Sequence, residues 1–293
     1  MYVIAEAGVN HNGSLEMAKQ LVDVASECGA DAVKFQTFRT ALVMTRDAPK
    51  AEYQKASADP SESQFEMVRR LELDEAAHRQ LIDHCARRDI AFLSTPFDLW
   101  SVDLLASTLQ VPRLKIPSGE ITNGPLLLAA ARTGKPIILS TGMSTLGEVE
   151  AALGIIAFGY LEPTAAPNAE AFRAAYCAGA GQALLRDRIV LLHCTTEYPA
   201  AYEDVNLRAM ETMRAAFGLP VGLSDHTEGV AVAIAAAALG AAMIEKHFTL
   251  SKTLPGPDHR ASLEPDELKC LVASVRQVED ALGSRDKVPA PGE

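Results

Sequence analysis

Residues 221–250 read VGLSDHTEGVAVAIAAAALGAAMIEKHFTL. A short apolar run at 221–223 ends in Ser224, Asp225 and His226. A helical stretch follows at 229–239, and a second apolar run at 242–245 leads into Lys246 and His247. Strand, helix, strand is the crossover that parallel pairing requires. Runs that are apolar without alternation imply strands covered on both faces, as in a parallel sheet flanked by helices. The stretch at 230–244 is the most apolar in the chain, yet it is mostly Ala and too short to span a bilayer. It predicts a buried helix running into a strand.

The same rhythm extends in both directions. Strands are expected at 2–5, 32–35, 90–94, 113–116, 136–139, 189–193, 221–223 and 242–245. Helices are expected near 15–28, 74–88, 99–107, 125–133, 146–157, 207–217, 229–239 and 265–282. Eight strand–helix units in a chain of 293 residues predict an α/β fold of the (β/α)8 TIM-barrel type. A doubly wound open sheet is the competing topology. Two segments interrupt the rhythm: a polar insertion at 38–66, and an excursion at 159–187 with one extra helix. Residues 1–282 are read as one barrel domain and 283–293, charged and Pro-rich, as a linker-like tail.

Composition narrows the function. With 48% hydrophobic and 22% charged residues the chain is globular rather than disordered. A net charge of −11 argues against nucleic acid or an anionic membrane as partner, since both need a basic face. Five Cys without a CxxC pair give neither a disulfide framework nor a Cys-based zinc site, and fit reduced thiols in a cytoplasm. The N-terminus lacks the basic region of a signal peptide.

In such a barrel, chemistry gathers at the C-terminal ends of the strands. Polar residues stand there in every unit: Glu6, Lys34 and Gln36, Ser94 and Thr95, Lys115 with Ser118 and Glu120, Ser140, His193 with Tyr198, Ser224 to His226, and Glu245 to His247. His226 and His247 end adjacent strands. Two imidazoles so placed suit a divalent metal in a partly open site. Lys34 and Lys115 lie at strand ends that should be buried, where a lone ammonium is costly. Each could be ion-paired, with Glu6 or Glu120; each could form a Schiff base; or both could bind phosphate with the Thr95, Ser118, Ser140 and Ser224 hydroxyls. Hydroxyls on several strand ends favour phosphate, which has many acceptors to satisfy.

The motifs AEAGVNHNGS (5–14), GADAVKFQTF (29–38), FLSTPFD (92–98), KIPSGE (115–120), LSTGMS (139–144), LLHCTTEYPA (191–200), GLSDHT (222–227), IEKHFTL (244–250) and PGPDHRASLEP (255–265) cover nearly the full chain. In them the sequence resembles the sialic acid (nonulosonic acid) synthase family, most of all bacterial N-acetylneuraminate synthases. The resemblance implies a metal-dependent barrel that condenses phosphoenolpyruvate with N-acetylmannosamine and releases phosphate. A diacetamido-trideoxy sugar, giving N,N'-diacetyllegionaminate, is the alternative substrate. Carried over residue by residue, it implies Glu6, Lys34, Lys115 and Glu120 as catalytic residues. Metal ligands fall on His226 and His247, with Mn2+ expected and Mg2+ or Co2+ possible. Thr95, Ser118, Ser140 and Ser224 join the two lysines on phosphoenolpyruvate, while Gln36, Glu120, Tyr198 and Asp258 contact the sugar. Thr196 departs from an Asn that some members carry there.

Family members usually form a homodimer and continue into a small antifreeze-like domain that reaches over the partner's barrel. This chain ends in the linker-like tail, so that domain is either outside the given chain or absent from the protein. Two readings of other classes stay open: a Schiff-base aldolase or lyase using Lys34 or Lys115, and a non-catalytic binding barrel.

Overall fold

The computed structural model describes residues 1–49 and 63–284, with 286, 288, 289 and 292 of the tail. Parts of the insertion expected at 38–66 and of the tail expected at 283–293 therefore lie outside the described residues. Among the described residues there are eight strands: β1 Tyr2–Gly8, β2 Ala32–Thr37, β3 Ala91–Pro96, β4 Leu114–Ile116, β5 Ile137–Ser140, β6 Ile189–Cys194, β7 Val221–Asp225 and β8 Met243–His247. All paired neighbours are parallel, in the order β3-β2-β1-β8-β7-β6-β5-β4. The first strand thus pairs with the last. The two ends of the row, β3 and β4, pack together without a hydrogen-bonded ladder among the described residues. This is a nearly closed (β/α)8 barrel rather than a doubly wound sheet, whose first and last strands would not pair.

The helices between strands are α1 Leu15–Glu27, α2 Thr40–Val43, α3 Gln64–Arg70, α4 Glu75–Arg87, α5 Leu99–Asp103, α6 Gly124–Arg132, α7 Leu146–Leu161, α8 Ala169–Cys177, α9 Gly179–Arg188, α10 Ala209–Phe217, α11 Ala231–Ala238 and α12 Pro265–Leu282. Side chains start many of them: Ser14 and Asp74 accept from the third residue on, and Ser63 with Glu66 and Thr145 with Glu148 form capping boxes. Each such cap is worth about 1 kcal/mol. None of the described helices is long and apolar enough to cross a membrane.

Three expectations need correction. The excursion at 159–187 holds two helices, α8 and α9, because Ala178 between them is extended, at φ −72° and ψ 136°. The Ala-rich α11 is not buried all round; Ala233, Ala236 and Ala237 face the core and the opposite side is open. Several strands run beyond their apolar stretch: β1 reaches Gly8, β3 Pro96, β7 Asp225 and β8 His247. Hydrophobicity ends where the residues turn polar, but the backbone ladder continues.

That continuation builds the barrel interior. Ile4, Ala32, Leu93, Ile138, Leu192 and Met243 form a small apolar core of their own, one residue from each of six strands. Gly222 of β7 leaves room for it: a Cβ there would stand 2.3 Å from the Met243 carbonyl oxygen and 2.9 Å from Leu192 Cδ2. Side chains alternate along a strand with period two. Two residues beyond this floor, the same faces therefore carry Glu6, Lys34, Thr95, Ser140, Cys194 and Glu245, with Ser224 two beyond Gly222. The larger apolar core lies outside the barrel wall, beneath the helices.

Candidate active site

A cavity of ≈ 180 Å³ opens above the apolar floor, lined among others by Glu6, Lys34, Lys115, Ser140, Glu245 and His247. Its base is a layer of buried charge. Lys34 Nζ lies 2.7 Å from Glu6 Oε2, 3.0 Å from Thr95 Oγ1 and 3.7 Å from Glu245 Oε2. Lys115 Nζ lies 3.4 Å from Glu245 Oε1, which also accepts a 2.9 Å bond from Ser224 Oγ. Two ammonium groups and two carboxylates thus share a layer in which no side chain is more than 4% exposed.

The four groups set one another's protonation. Burial pushes the Glu6 carboxyl up, Lys34 only partly offsets this, and Glu245 adds to it, so Glu6 stands well above the usual carboxylate range. Burial pushes Glu245 the same way, but Lys115 and Lys34 outweigh it and hold that carboxyl low. Burial lowers Lys34, yet the two carboxylates more than restore it. Burial leaves Lys115 below its ordinary value, since Glu245 compensates only in part and Lys34 repels it. Glu245 is therefore the fixed anion of the layer, and Glu6 the carboxyl able to exchange a proton.

The histidines close one side of the cavity. The His226 and His247 rings lie with centroids 5.5 Å apart. His226 Nδ1 is 2.7 Å from the Thr195 carbonyl oxygen and 3.7 Å from Cys194 Sγ; its Nε2 is 3.0 Å from Tyr198 Oη. His247 is held well below the ordinary histidine value by burial and then by His226, and its Nδ1 is buried without a hydrogen-bond partner. Gly8, at φ 52°, makes space here: a Cβ would come 3.3 Å from Glu6 Oε1 and 3.4 Å from His247 Cε1. A divalent cation fits this donor set. One ring is steadied by a carbonyl, as metal-bound imidazoles usually are, and the other keeps an orphaned nitrogen. No set of three or more His, Cys, Asp or Glu among the described residues could hold a metal, so a cation here would take at most two such ligands from the described residues.

A second cavity, of ≈ 310 Å³, adjoins the first and shares Gln36, Phe97 and Tyr198 with it. Its other polar lining residues are Glu120 and Asp258. Burial pushes the Asp258 carboxyl up to about 6, with His226 pulling the other way.

The structure thus brings all the expected site residues to one end of the barrel, in two groups. Glu6, Lys34, Thr95, Lys115, Ser118, Ser140, Ser224, His226 and His247 line the charged cavity, and Gln36 and Tyr198 border both. Glu120 and Asp258 line only the second. Glu120 is therefore not the lysines' partner: it ends a short 3-10 turn, and its Oε2 accepts a 2.6 Å bond from Asn123 Nδ2. Ion pairs do form, Lys34 with Glu6 and Lys115 with Glu245. Thr196 lies in the wall of the charged cavity.

Sequence reasoning missed Glu245 as a centre of the site. The signal was available: it precedes His247 by two and so shares its face. The other histidines serve elsewhere. His193 faces outward, its Nε2 2.6 Å from the Val205 carbonyl oxygen, while His78 and His259 bond Thr37 at 2.8 Å and Thr249 at 2.6 Å.

Comparison with known proteins finds relatives along the whole chain. A model of the NeuB family matches residues 21–287. The N,N'-diacetyllegionaminic acid synthase of Campylobacter jejuni is 50% identical over 291 residues, spanning 99% of this chain and 80% of that protein. The N,N'-diacetyllegionaminic acid synthase of Legionella pneumophila is 49% identical over 292 residues, spanning 100% of this chain and 76% of that one. A crystal structure of the N-acetylneuraminic acid synthetase of Leptospira borgpetersenii, in complex with citrate, superimposes with a TM-score of 0.77 at 31% identity. That match covers 100% of this chain and 88% of the other.

Proposed function

The chain belongs to the NeuB family, and on that premise we propose that it condenses phosphoenolpyruvate with a diacetamido-trideoxy sugar, giving N,N'-diacetyllegionaminic acid and phosphate. The observation that carries the reaction class is the pair of joined cavities, one floored by Lys34 and Lys115, the other edged by hydrogen-bonding side chains. For the sugar, the two relatives at 50% and 49% identity favour the legionaminic substrate over N-acetylmannosamine, the principal expectation from sequence.

The trianionic phosphoenolpyruvate enters the charged cavity, where Lys34 and Lys115 offset its charge and the Thr95, Ser118, Ser140 and Ser224 hydroxyls satisfy its oxygens. Ser140 Oγ is buried without a hydrogen-bond partner, poised for such an acceptor. Gln36, Tyr198, Glu120 and Asp258 hold the open-chain sugar with its aldehyde toward His226 and His247. The methylene carbon of phosphoenolpyruvate bonds to the aldehyde carbon, and the aldehyde oxygen takes up a proton. Water adds at the enol-ester carbon and gives up a proton, and the tetrahedral carbon then sheds phosphate by C–O cleavage. Glu6, with its raised carboxyl, is the proton carrier within reach. His226 and His247 would hold a divalent cation, Mn2+ by expectation, which supplies Lewis-acid polarisation of the aldehyde.

A phosphate-release assay with phosphoenolpyruvate and each of the two sugars tests the reading. Faster turnover of the diacetamido-trideoxy sugar is expected; turnover of N-acetylmannosamine alone would return the assignment to an N-acetylneuraminate synthase. A borohydride-trapped adduct on Lys34 or Lys115 would instead mark a Schiff-base enzyme.

A further inference from the structure

The second cavity has two unlike kinds of wall. Its polar groups are Gln36, Glu120, Tyr198 and Asp258. The remainder is apolar, with Phe38, Val43, Met44, Val68, Leu71 and Phe97 among its lining residues. These do not belong to the barrel's cores. Val9, Phe38 and Leu71 form a separate buried cluster, with Val43, Val68 and Phe97 packed against it. The segment after β2 supplies most of it: Val43 ends α2, Val68 lies in α3, and Leu71 caps α3. A satellite cluster beneath a long connection commonly only anchors that connection. This one also faces a cavity that opens to the charged site.

A sugar hydroxyl set against these side chains would lose its water and gain no partner. A methyl group in the same place would meet only carbon and sulfur. We propose that this wall is the specificity device of the site: Val43, Met44 and Val68 seat the deoxygenated end of the sugar and the methyl of a second acetamido group. The polar residues are left to read the hydroxyls nearer the aldehyde. The proposal rests on the synthase reading given above and adds the residues that choose among its acceptor sugars. Discrimination is modest, because an apolar pocket rejects an added hydroxyl by roughly 100-fold at most.

The test uses two acceptors that differ by one oxygen, N-acetylmannosamine and its 6-deoxy analogue, with the full chain and phosphoenolpyruvate. The ratio of their kcat/KM values is measured for the wild type, Val68→Thr and Met44→Gln, two substitutions that keep size and add a polar group. The 6-deoxy sugar should be preferred by roughly 10–100-fold in the wild type. Each variant should narrow that ratio while leaving the KM for phosphoenolpyruvate unchanged. Calorimetric dissociation constants give the same ratio where turnover is slow. Equal use of the two sugars, a ratio untouched by both substitutions, or no binding of either sugar overturns the proposal. If the 6-deoxy preference holds but the diacetamido-trideoxy sugar is used no better than N-acetylmannosamine, the wall stands and the legionaminic assignment falls.

Discussion

Lys115 Nζ on β4 and Glu245 Oε1 on β8 stand 3.4 Å apart across the barrel interior, linking two strands that do not pair. With Lys34 3.7 Å from the same carboxylate, Glu245 is the counter-ion that the two lysines share.

Glu245→Gln should therefore leave two buried ammonium groups short of a partner. Breaking a buried ion pair on one side typically costs about 3–5 kcal/mol. The unliganded variant should melt well below the wild type, and inorganic phosphate or phosphoenolpyruvate should raise its Tm by more than it raises that of the wild type. Equal ligand shifts in the two proteins would show that Glu245 does not balance the lysines.

His226→Ala and His247→Ala should each abolish turnover and lower bound metal while the fold survives. If the two rings hold the proposed cation, losing one of them should exceed the roughly 10–100-fold cost of losing a residue behind the ligands. Metal content after dialysis, read beside phosphate release, checks this. Unchanged metal content with near-normal activity would misplace the metal site.

Asp258 makes stability depend on pH. Burial lifts its carboxyl from an ordinary value of 3.8 to about 6 in the folded chain. Between those values the folded protein binds a proton that the unfolded chain has released, so stability must fall as pH rises through the interval. Its contribution is fully present below about pH 4 and gone above about pH 6. Asp258→Asn should remove this slope, which denaturant unfolding at pH 4, 5, 6 and 7 would reveal as a wild type gaining on the variant toward acid.

Asp225 and Lys246 form a 2.8 Å pair, both almost fully buried, on the outer side of the strands that carry His226 and His247. Asp225→Ala should cost about 3–5 kcal/mol by leaving the ammonium with the Thr227 carbonyl oxygen but no counter-charge. The KM for phosphoenolpyruvate, measured well below the variant's Tm, should not change. A large rise in KM would place the pair in the site.

The eight strand–helix units were legible in the chain because covered strands must be apolar on both faces, and that leaves a run which survives in one dimension. The polar ends of those strands were legible for the same reason, since they interrupt the run at the end where a barrel keeps its chemistry. Lys34, Lys115, His226 and His247 could be named from that alone. The motif likeness extended the reading to Asp258, which follows β8 and belongs to no strand end. Residues two apart share a face, but which of the two faces turns inward was not legible. SDH at 224–226 and EKH at 245–247 each present three polar residues in a row, yet Ser224, His226, Glu245 and His247 turn inward while Asp225 and Lys246 turn out. The pleat decides that, and its phase depends on where the apolar floor closes on Gly222. Partners were hidden for a related reason. Glu245 meets Lys115 only because strands 130 residues apart in sequence face each other across a barrel, and nothing in the order of residues encodes that distance. The division into a charged cavity and an apolar-walled one likewise came from tertiary structure, since Phe38, Val68 and Phe97 meet only when the segment after β2 folds back beside β3.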